Sequence, residues 1–463
     1  LDASAFESPA AAEDELSPAT RRDLVSSVAD AASFNVMVGM GETYIAPFAI
    51  ALGTGGISTG LLTTIPIFAG SILQLITPRM VQRFGSHRAW VVACAITQGL
   101  SLLLMPLAIF IGGWSAGLVY LAATLYWAAG QAGNPAWNTW IEDVVPKHLR
   151  TRFFAQRSRI SQMCLLVGFV TSGLLLEYGK SRTSAESVNW TLVAFAGLFV
   201  TAALCRFTSA MFLSRHSEPN RGKLIDEHIS LAQWRKRLGE HSGAKLLLFL
   251  FAMQASVYIS GPYFTPYMLK ELHLSYAAYM IVISSSLLGK AIGLPFWGRI
   301  AHRYGARRLL WIGATSIVPL SSLWIFSSSL GWILFVQALS GLLWAAFELA
   351  IVLMFFEAIP RHERTSLVTL YNLSNSSAMV CGTLLGALIL SSSGGYYLMF
   401  GMSSFCRIFA ILLLVRLSNV TDVVPRDVEG ALALHPGTQN FDKPIMAGIP
   451  ETAAEDQTAP RAA

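Results

Sequence analysis

Three ionisable side chains stand inside stretches otherwise suited to hydrocarbon: Glu42 in GMGETYIAPF, Lys290 in SLLGKAIGLPF and Glu348 in LLWAAFELAIV. A charge at the centre of a bilayer costs about 2.5 kcal/mol even on insertion scales, so each needs a reason to be there. Burial disfavours the charged form of a carboxyl or an amine, which lets such groups exchange protons near neutral pH. Proton coupling is the chemistry this set suits. Glu42 or Glu348 would take up a proton on one side and release it on the other, while Lys290 supplies a counter-charge or holds a solute anion. The structural alternative is an ion pair buried within one helical bundle.

A second set is polar rather than charged. In YWAAGQAGNPAWNTW, Trp127, Gln131, Asn134 and Asn138 recur at four, three and four residues, which stacks them on one helical face. Amides facing lipid would lack partners, so this stripe must face protein or water, as cavity lining or as glue between helices. Gln254 and Tyr258 form a shorter stripe of the same kind, and Asn372, Asn375 and Ser376 another.

The elements that position these residues follow from composition. Hydrophobic residues make up 54% of the 463 and charged ones 13%, with mean hydropathy +0.52. Ordinary soluble domains carry about 25% charged residues, and no soluble core could hide this much apolar surface. The chain is an integral membrane protein of the all-α class. About twelve stretches reach the ~20 residues needed to span. They centre near Gly41, Phe68, Leu102, Ala128, Val167, Gly197, Met253, Leu287, Val318, Trp344, Ala378 and Cys406.

The net charge of +6 is not a nucleic-acid stripe, because the cations cluster in short gaps between apolar runs. Arg79, Arg83 and Arg88, then Lys147, Arg150 and Arg152, then Arg303, Arg307 and Arg308, then Arg361 and Arg364 fall in even-numbered gaps. Cations resist translocation, so these gaps and both termini should be cytoplasmic, in a plasma (inner) membrane. The acidic, Ala/Ser/Pro-rich start has no apolar run of a cleavable leader, so residues 1–24 and 418–463 are expected as disordered tails. The five cysteines fall in apolar runs without ligand spacing and read as reduced packing residues.

Two halves repeat. PRMVQRFGSHR matches GRIAHRYGARR, EDVVPKHLRT matches FEAIPRHERT, and CRFTSAMFLSR matches CRIFAILLLVR, in the same order. Two six-helix bundles follow, residues 25–214 and 244–417, joined by a cytoplasmic linker over 215–243. Like-oriented repeats place a cavity between the bundles near the midplane. Arg206 and Arg407, in the third matched pair, are expected to snorkel toward the cytoplasmic interface.

The first matched pair resembles the cytoplasmic loop signature Gly-x-x-x-Asp-Arg-x-Gly-Arg-Arg of the major facilitator superfamily. Arg83, Gly85 and Arg88 carry it in one copy, and Gly298, Arg303, Gly305, Arg307 and Arg308 in the other. Pro78 replaces the leading glycine of the first copy, and Gln82 and His302 replace the aspartate. In that family the aspartate belongs to a charge network that closes the cytoplasmic side. Glu142, Asp143 and Glu357 are candidate replacements beside Arg83, Arg88, Arg303 and Arg308. The resemblance implies a twelve-helix secondary transporter that alternates between inward-open and outward-open states.

The expected function is proton-coupled transport of a small organic solute, amphipathic or zwitterionic given charges of both signs and several aromatics. A non-transporting scaffold, assembly factor or sensor of the same architecture is the alternative. No Gly-rich phosphate loop, metal cluster or nucleophile constellation is present in the sequence, so neither an ATP-driven pump, an enzyme, a metal site nor a cofactor is expected. The expected partners are solute, protons and lipid, with no nucleic acid, around a monomer.

Overall fold

The computed structural model describes residues 17–145, 150–183, 188–218, 243–358, 364–392 and 395–415, and every structural statement below concerns these. All regular elements among them are helical. The first span opens at α1, Pro18–Met40, where the Ser17 hydroxyl accepts from Thr20 N at 3.1 Å and proline sits in the first turn. It breaks at Gly41 into a tight turn, Glu42–Tyr44, and resumes as α2, Ile45–Ala51. Then come α3 (Gly56–Leu62), α4 (Ile65–Gln74), α5 (Thr77–Phe84), α6 (His87–Leu104), α7 (Ser115–Val144), α8 (Arg150–Thr183) and α9 (Trp190–Arg215).

The second half begins with α10, Gly243–Tyr258, which also breaks, through turns at Gly261–Tyr263 and Phe264–Pro266 and a π-helical run Tyr267–Glu271. It continues with α11 (Tyr276–Tyr304), α12 (Ala306–Ser316), α13 (Leu323–Phe326), α14 (Leu330–Ala358), α15 (Arg364–Ser391) and α16 (Gly395–Val415). Ten segments are long and apolar enough to cross a membrane. The fourth and ninth of the expected twelve fall short for identifiable reasons. The polar stripe dilutes α7, and residues 317–322, with Pro319 among them, interrupt α12 and α13.

Within the first half, α1 packs on α8 and α9, α7 on α4 and α6, and α6 on α9; within the second, α10 packs on α15 and α16, and α14 on α11 and α12. The repeat seen in the loops continues at these crossings. Tyr44 OH donates to the Phe169 carbonyl at 2.9 Å, and Tyr263 OH to the Thr383 carbonyl at 2.7 Å. Next to these acceptors, Gly168 lies against the Val36 carbonyl and Gly382 against the Ala255 carbonyl, so close that a Cβ would overlap either oxygen. Small residues let backbones approach in this way, and the dispersion gained there replaces the hydrophobic force that lipid does not supply.

The structure corrects two expectations. Residues 18–24, expected within a disordered tail, form the first turns of α1. Arg206 and Arg407 do not snorkel; both are buried, at 7% and 2% exposure. Arg206 donates Nε and Nη2 to Gln98 Oε1 at 2.9 and 2.7 Å, tying α9 to α6. Arg407 donates Nη1 to the Ile317 carbonyl at 2.6 Å and Nη2 to Ser321 Oγ at 2.5 Å, tying α16 to the interrupted ninth segment. Each guanidinium binds groups of its own half, where inward acceptors meet its N–H groups without a reach to the interface. The cysteines are free, and Cys381 is exposed rather than packed inside.

The halves meet through α8 with α11, α15 with α3 and α4, and α3 with the turn at Gly261–Tyr263. Lys270 Nζ donates to the Thr54 carbonyl at 2.5 Å, and Glu177 Oε2 accepts from Ala277 N at 3.1 Å, capping the start of α11 from the opposite half. These residues end odd-numbered spans or begin even-numbered ones, so these contacts lie on the face opposite the chain's N-terminal end of α1.

Candidate functional site

Glu42 sits in the break of the first span because Gly41 and the tight turn after it interrupt the helix there. It is 3% exposed, and Tyr126 OH from α7 donates to its Oε2 at 2.6 Å. The same hydroxyl lies 3.3 Å from Met37 Sδ. A short hydrogen bond to a carboxylate offsets much of the cost of burying it.

Lys290 and Glu348 pair within the second half, the arrangement the structural alternative expects, although neither side chain is fully buried. Lys290 Nζ lies 2.5 Å from Glu348 Oε2, joining α11 to α14, with side chains 21% and 13% exposed. The helices come close enough because Gly341 of α14 packs directly on the backbone of α11 at Ser286 and Lys290. Glu348 Oε1 is buried with no hydrogen-bond donor in reach, so the carboxylate keeps acceptor capacity beyond the lysine.

The polar stripe of α7 does not act as one surface. Trp127 and Gln131 lie against Gly70 of α4, Asn138 is buried, and Asn134 lines a cavity inside the first half. On α10, Gln254 and Tyr258 are both 3% exposed, and Gln254 Nε2 has no acceptor in reach. Ser376, from the third stripe, reaches across the halves to Ser71 of α4, with hydroxyls 2.6 Å apart.

Sequence reasoning missed the cavity's network. A space of about 70 Å³ is bounded by Asp30, Gln98, Asn134, Trp137, Arg157 and Arg206 among others. Asp30 Oδ2 accepts from Arg157 Nη2 at 3.2 Å, and its Oδ1 accepts from Ser209 Oγ at 2.7 Å. Arg157 also stacks over Trp137, 4.7 Å from the ring centre. Asp30 was legible as a carboxylate within a span, but Arg157 lies so near the start of α8 that it reads as a loop cation.

The duplicated loop signature keeps its turns. Gly85, at φ 61°, and Gly305, at φ 83°, occupy the left-handed region that side chains avoid. Arg83, Arg303 and Arg308 are exposed, whereas Arg88 Nη1 donates to the His216 carbonyl at 2.9 Å. The side chains of Glu142, Asp143 and Glu357 lie outside the described residues. Another carboxylate serves the first loop. Glu218 Oε1 accepts from His87 N at 2.6 Å and Arg88 N at 3.3 Å, and its Oε2 from Ser86 Oγ at 2.6 Å, so it caps α6. Residues 216–218 are strapped down further by Trp140 Nε1, which donates to the Ser217 carbonyl at 2.8 Å, and by Asp23, which accepts from Ser217 N at 3.2 Å. Burial lowers the pKa of His216, against the pull of Asp30 and Asp23.

The fold is shared with solved transporters. A mutant form of the nucleoside transporter NupG superposes with TM-score 0.65 at 11% identity, over 86% of this chain and 99% of that one. The xylose transporter XylE from E. coli, in a partially occluded inward-open conformation, gives 0.63 at 11%, over 89% and 100%. A D-xylose-proton symporter gives 0.60 at 11%, over 84% and 96%. No curated protein matches the sequence. The sequence model of the Major Facilitator Superfamily matches residues 31–255 and again 246–449, which together take in most of the chain, and the chain belongs to that family.

Proposed function

We propose that this chain is a secondary active transporter that moves a small organic solute by alternating access and couples it to protons. The observation that carries the reading is the Lys290–Glu348 pair, two opposite charges 2.5 Å apart within the membrane, one of whose carboxylate oxygens has no donor. Protonating Glu348 cancels the attraction and frees the ammonium for a solute anion. Losing the proton re-forms the pair and expels it. Glu42, hydrogen-bonded to Tyr126 in the other half, is the second proton-coupling carboxylate. The likeness in fold to a D-xylose-proton symporter supports a coupling of this kind.

The contacts at Lys270 and Glu177 suit a state closed on the outer side and open inward. The cation-rich even gaps support cytoplasmic termini in a plasma (inner) membrane, and the protein works as a monomer. The solute is amphipathic or zwitterionic, to match an ammonium and carboxyls of opposite charge.

A melting-temperature screen of metabolites on purified protein identifies the solute, since a ligand of the folded state raises stability with concentration. Uptake into proteoliposomes with and without an imposed pH gradient then tests the mechanism. Glu348→Gln should lose gradient-driven uptake while keeping solute exchange. Gradient-driven uptake unchanged in that variant removes Glu348 from coupling. A wild type that binds but never moves its ligand supports the scaffold instead.

A further inference from the structure

The duplicated cytoplasmic loops carry more cation than their turns require. Arg79 and Arg83 in the first half stand where Arg299 and Arg303 stand in the second, each pair followed by an aromatic, Phe84 or Tyr304, and then by the left-handed glycine. All four arginines and both aromatics are exposed. Among the described residues none of the four has an acidic partner within ion-pair distance; Arg299 Nε reaches only the Pro295 carbonyl at 3.4 Å, and Arg303 lies over Tyr304, 5.3 Å from the ring centre. The aspartate that the family signature places beside these arginines is Gln82 in one copy and His302 in the other, so no carboxylate of the signature competes for them.

The surface leading up to each pair is apolar and uncovered. Ile72, Leu75 and Ile76 precede the first, and Ile292 and Phe296 precede the second, all at least 40% exposed. Arginines four apart on a helix hold their Cβ atoms about 6 Å from each other, and a guanidinium fork matches two phosphate oxygens. A cation pair at the end of an exposed apolar strip is complementary to a molecule with an anionic head and a hydrocarbon tail. The cytoplasmic leaflet supplies such molecules and attracts basic residues at its surface.

We propose that each half bears one site for an anionic phospholipid, with the Arg79/Arg83 pair holding one phosphate headgroup and the Arg299/Arg303 pair the other. The sites rest on the orientation given under Proposed function only for the leaflet they meet in the cell; lipid binding in detergent is read without reference to orientation or transport.

Native mass spectrometry of the full chain, titrated with phosphatidylglycerol or with phosphatidylcholine, counts the sites. The wild type should retain two phosphatidylglycerols and no comparable phosphatidylcholine. Arg79→Gln with Arg83→Gln should retain one, as should Arg299→Gln with Arg303→Gln, each pair losing about thirtyfold in affinity at its own site, on the basis of about 1 kcal/mol per arginine. The fourfold glutamine variant should retain none, and the fourfold lysine variant, which keeps the charge, should still favour phosphatidylglycerol. Two phosphatidylglycerols kept by a fourfold glutamine variant that melts like wild type would overturn the proposal. So would equal retention of phosphatidylcholine by the wild type, or a lysine variant with no preference.

Discussion

The two halves share their crossings and differ in where they keep charge. Aligned on Tyr44 with Tyr263, Asp30 of the first half corresponds to Phe249, a fully buried aromatic. Aligned on Gly85 with Gly305, Gly70 corresponds to Lys290, and aligned on Pro146 with Pro360, Trp127 corresponds to Gly341 and Asn134 to Glu348. The first half therefore places a carboxylate among arginines inside its own bundle, while the second places an ammonium and a carboxylate where α11 crosses α14. At that crossing the glycine has changed sides. Gly70 makes room for the Trp127 backbone in one half, and Gly341 makes room for the backbone at Ser286 and Lys290 in the other. Backbone contacts have stayed equivalent while ionisable groups diverged, so the family's transport chemistry can be lodged unequally on an equal frame.

Converting the second half to the residues of the first is the strongest test of that contrast. Lys290→Met alone leaves Glu348 buried without its partner, and removing one member of a buried pair costs about 3 kcal/mol or more. Lys290→Gly together with Glu348→Asn restores the pattern of Gly70 and Asn134 and should recover most of the lost melting temperature while abolishing pH-driven uptake. A double variant as unstable as the single one would mean that the crossing depends on the ion pair, and that the halves are not interchangeable there.

The paired glycines sharpen the comparison at smaller scale. Gly168→Ala and Gly382→Ala both press a methyl on a facing carbonyl, and overpacking of this kind costs about 1–3 kcal/mol. The position for a Cβ on Gly382 is nearer the Ala255 oxygen than that on Gly168 is to the Val36 oxygen, 2.8 Å away. Gly382→Ala should therefore lower the melting temperature more than Gly168→Ala. Equal losses would show that α1 and α8 yield less readily than their distance suggests.

Particular residues show why some of this was legible in sequence. Gly85 and Gly305 were readable because a left-handed turn restricts residue type, and the matched prolines and arginines gave the repeat. Glu42, Lys290 and Glu348 were readable as charges out of place, but that Lys290 and Glu348 touch was not, since they lie on spans far apart in the chain. The direction of Arg206 and Arg407 was misread because hydropathy reports depth and is silent on which way a side chain faces. The polar stripe of α7 hid a span by diluting it. Glu218 could not be found by spacing, because the loop it serves lies more than a hundred residues earlier.

The smallest expected effect belongs to the strap at the end of α9, a feature described only in the first half. His216 is 1% exposed, and burial lowers its pKa below that of the unfolded chain, the nearby Asp30 and Asp23 opposing the shift and Arg157 adding to it. The unfolded chain then binds this proton more readily than the folded one. The stabilisation is complete above the unfolded value of about 6.5 and is lost as pH falls from there through the folded value. Hydrogen exchange, corrected for the intrinsic effect of pH, should show residues 216–218 and the start of α6 opening on mild acidification while α11 and α14 keep their protection. His216→Asn should flatten that response. Opening that spreads equally to both halves would place the titrating group elsewhere and remove the asymmetry from the strap.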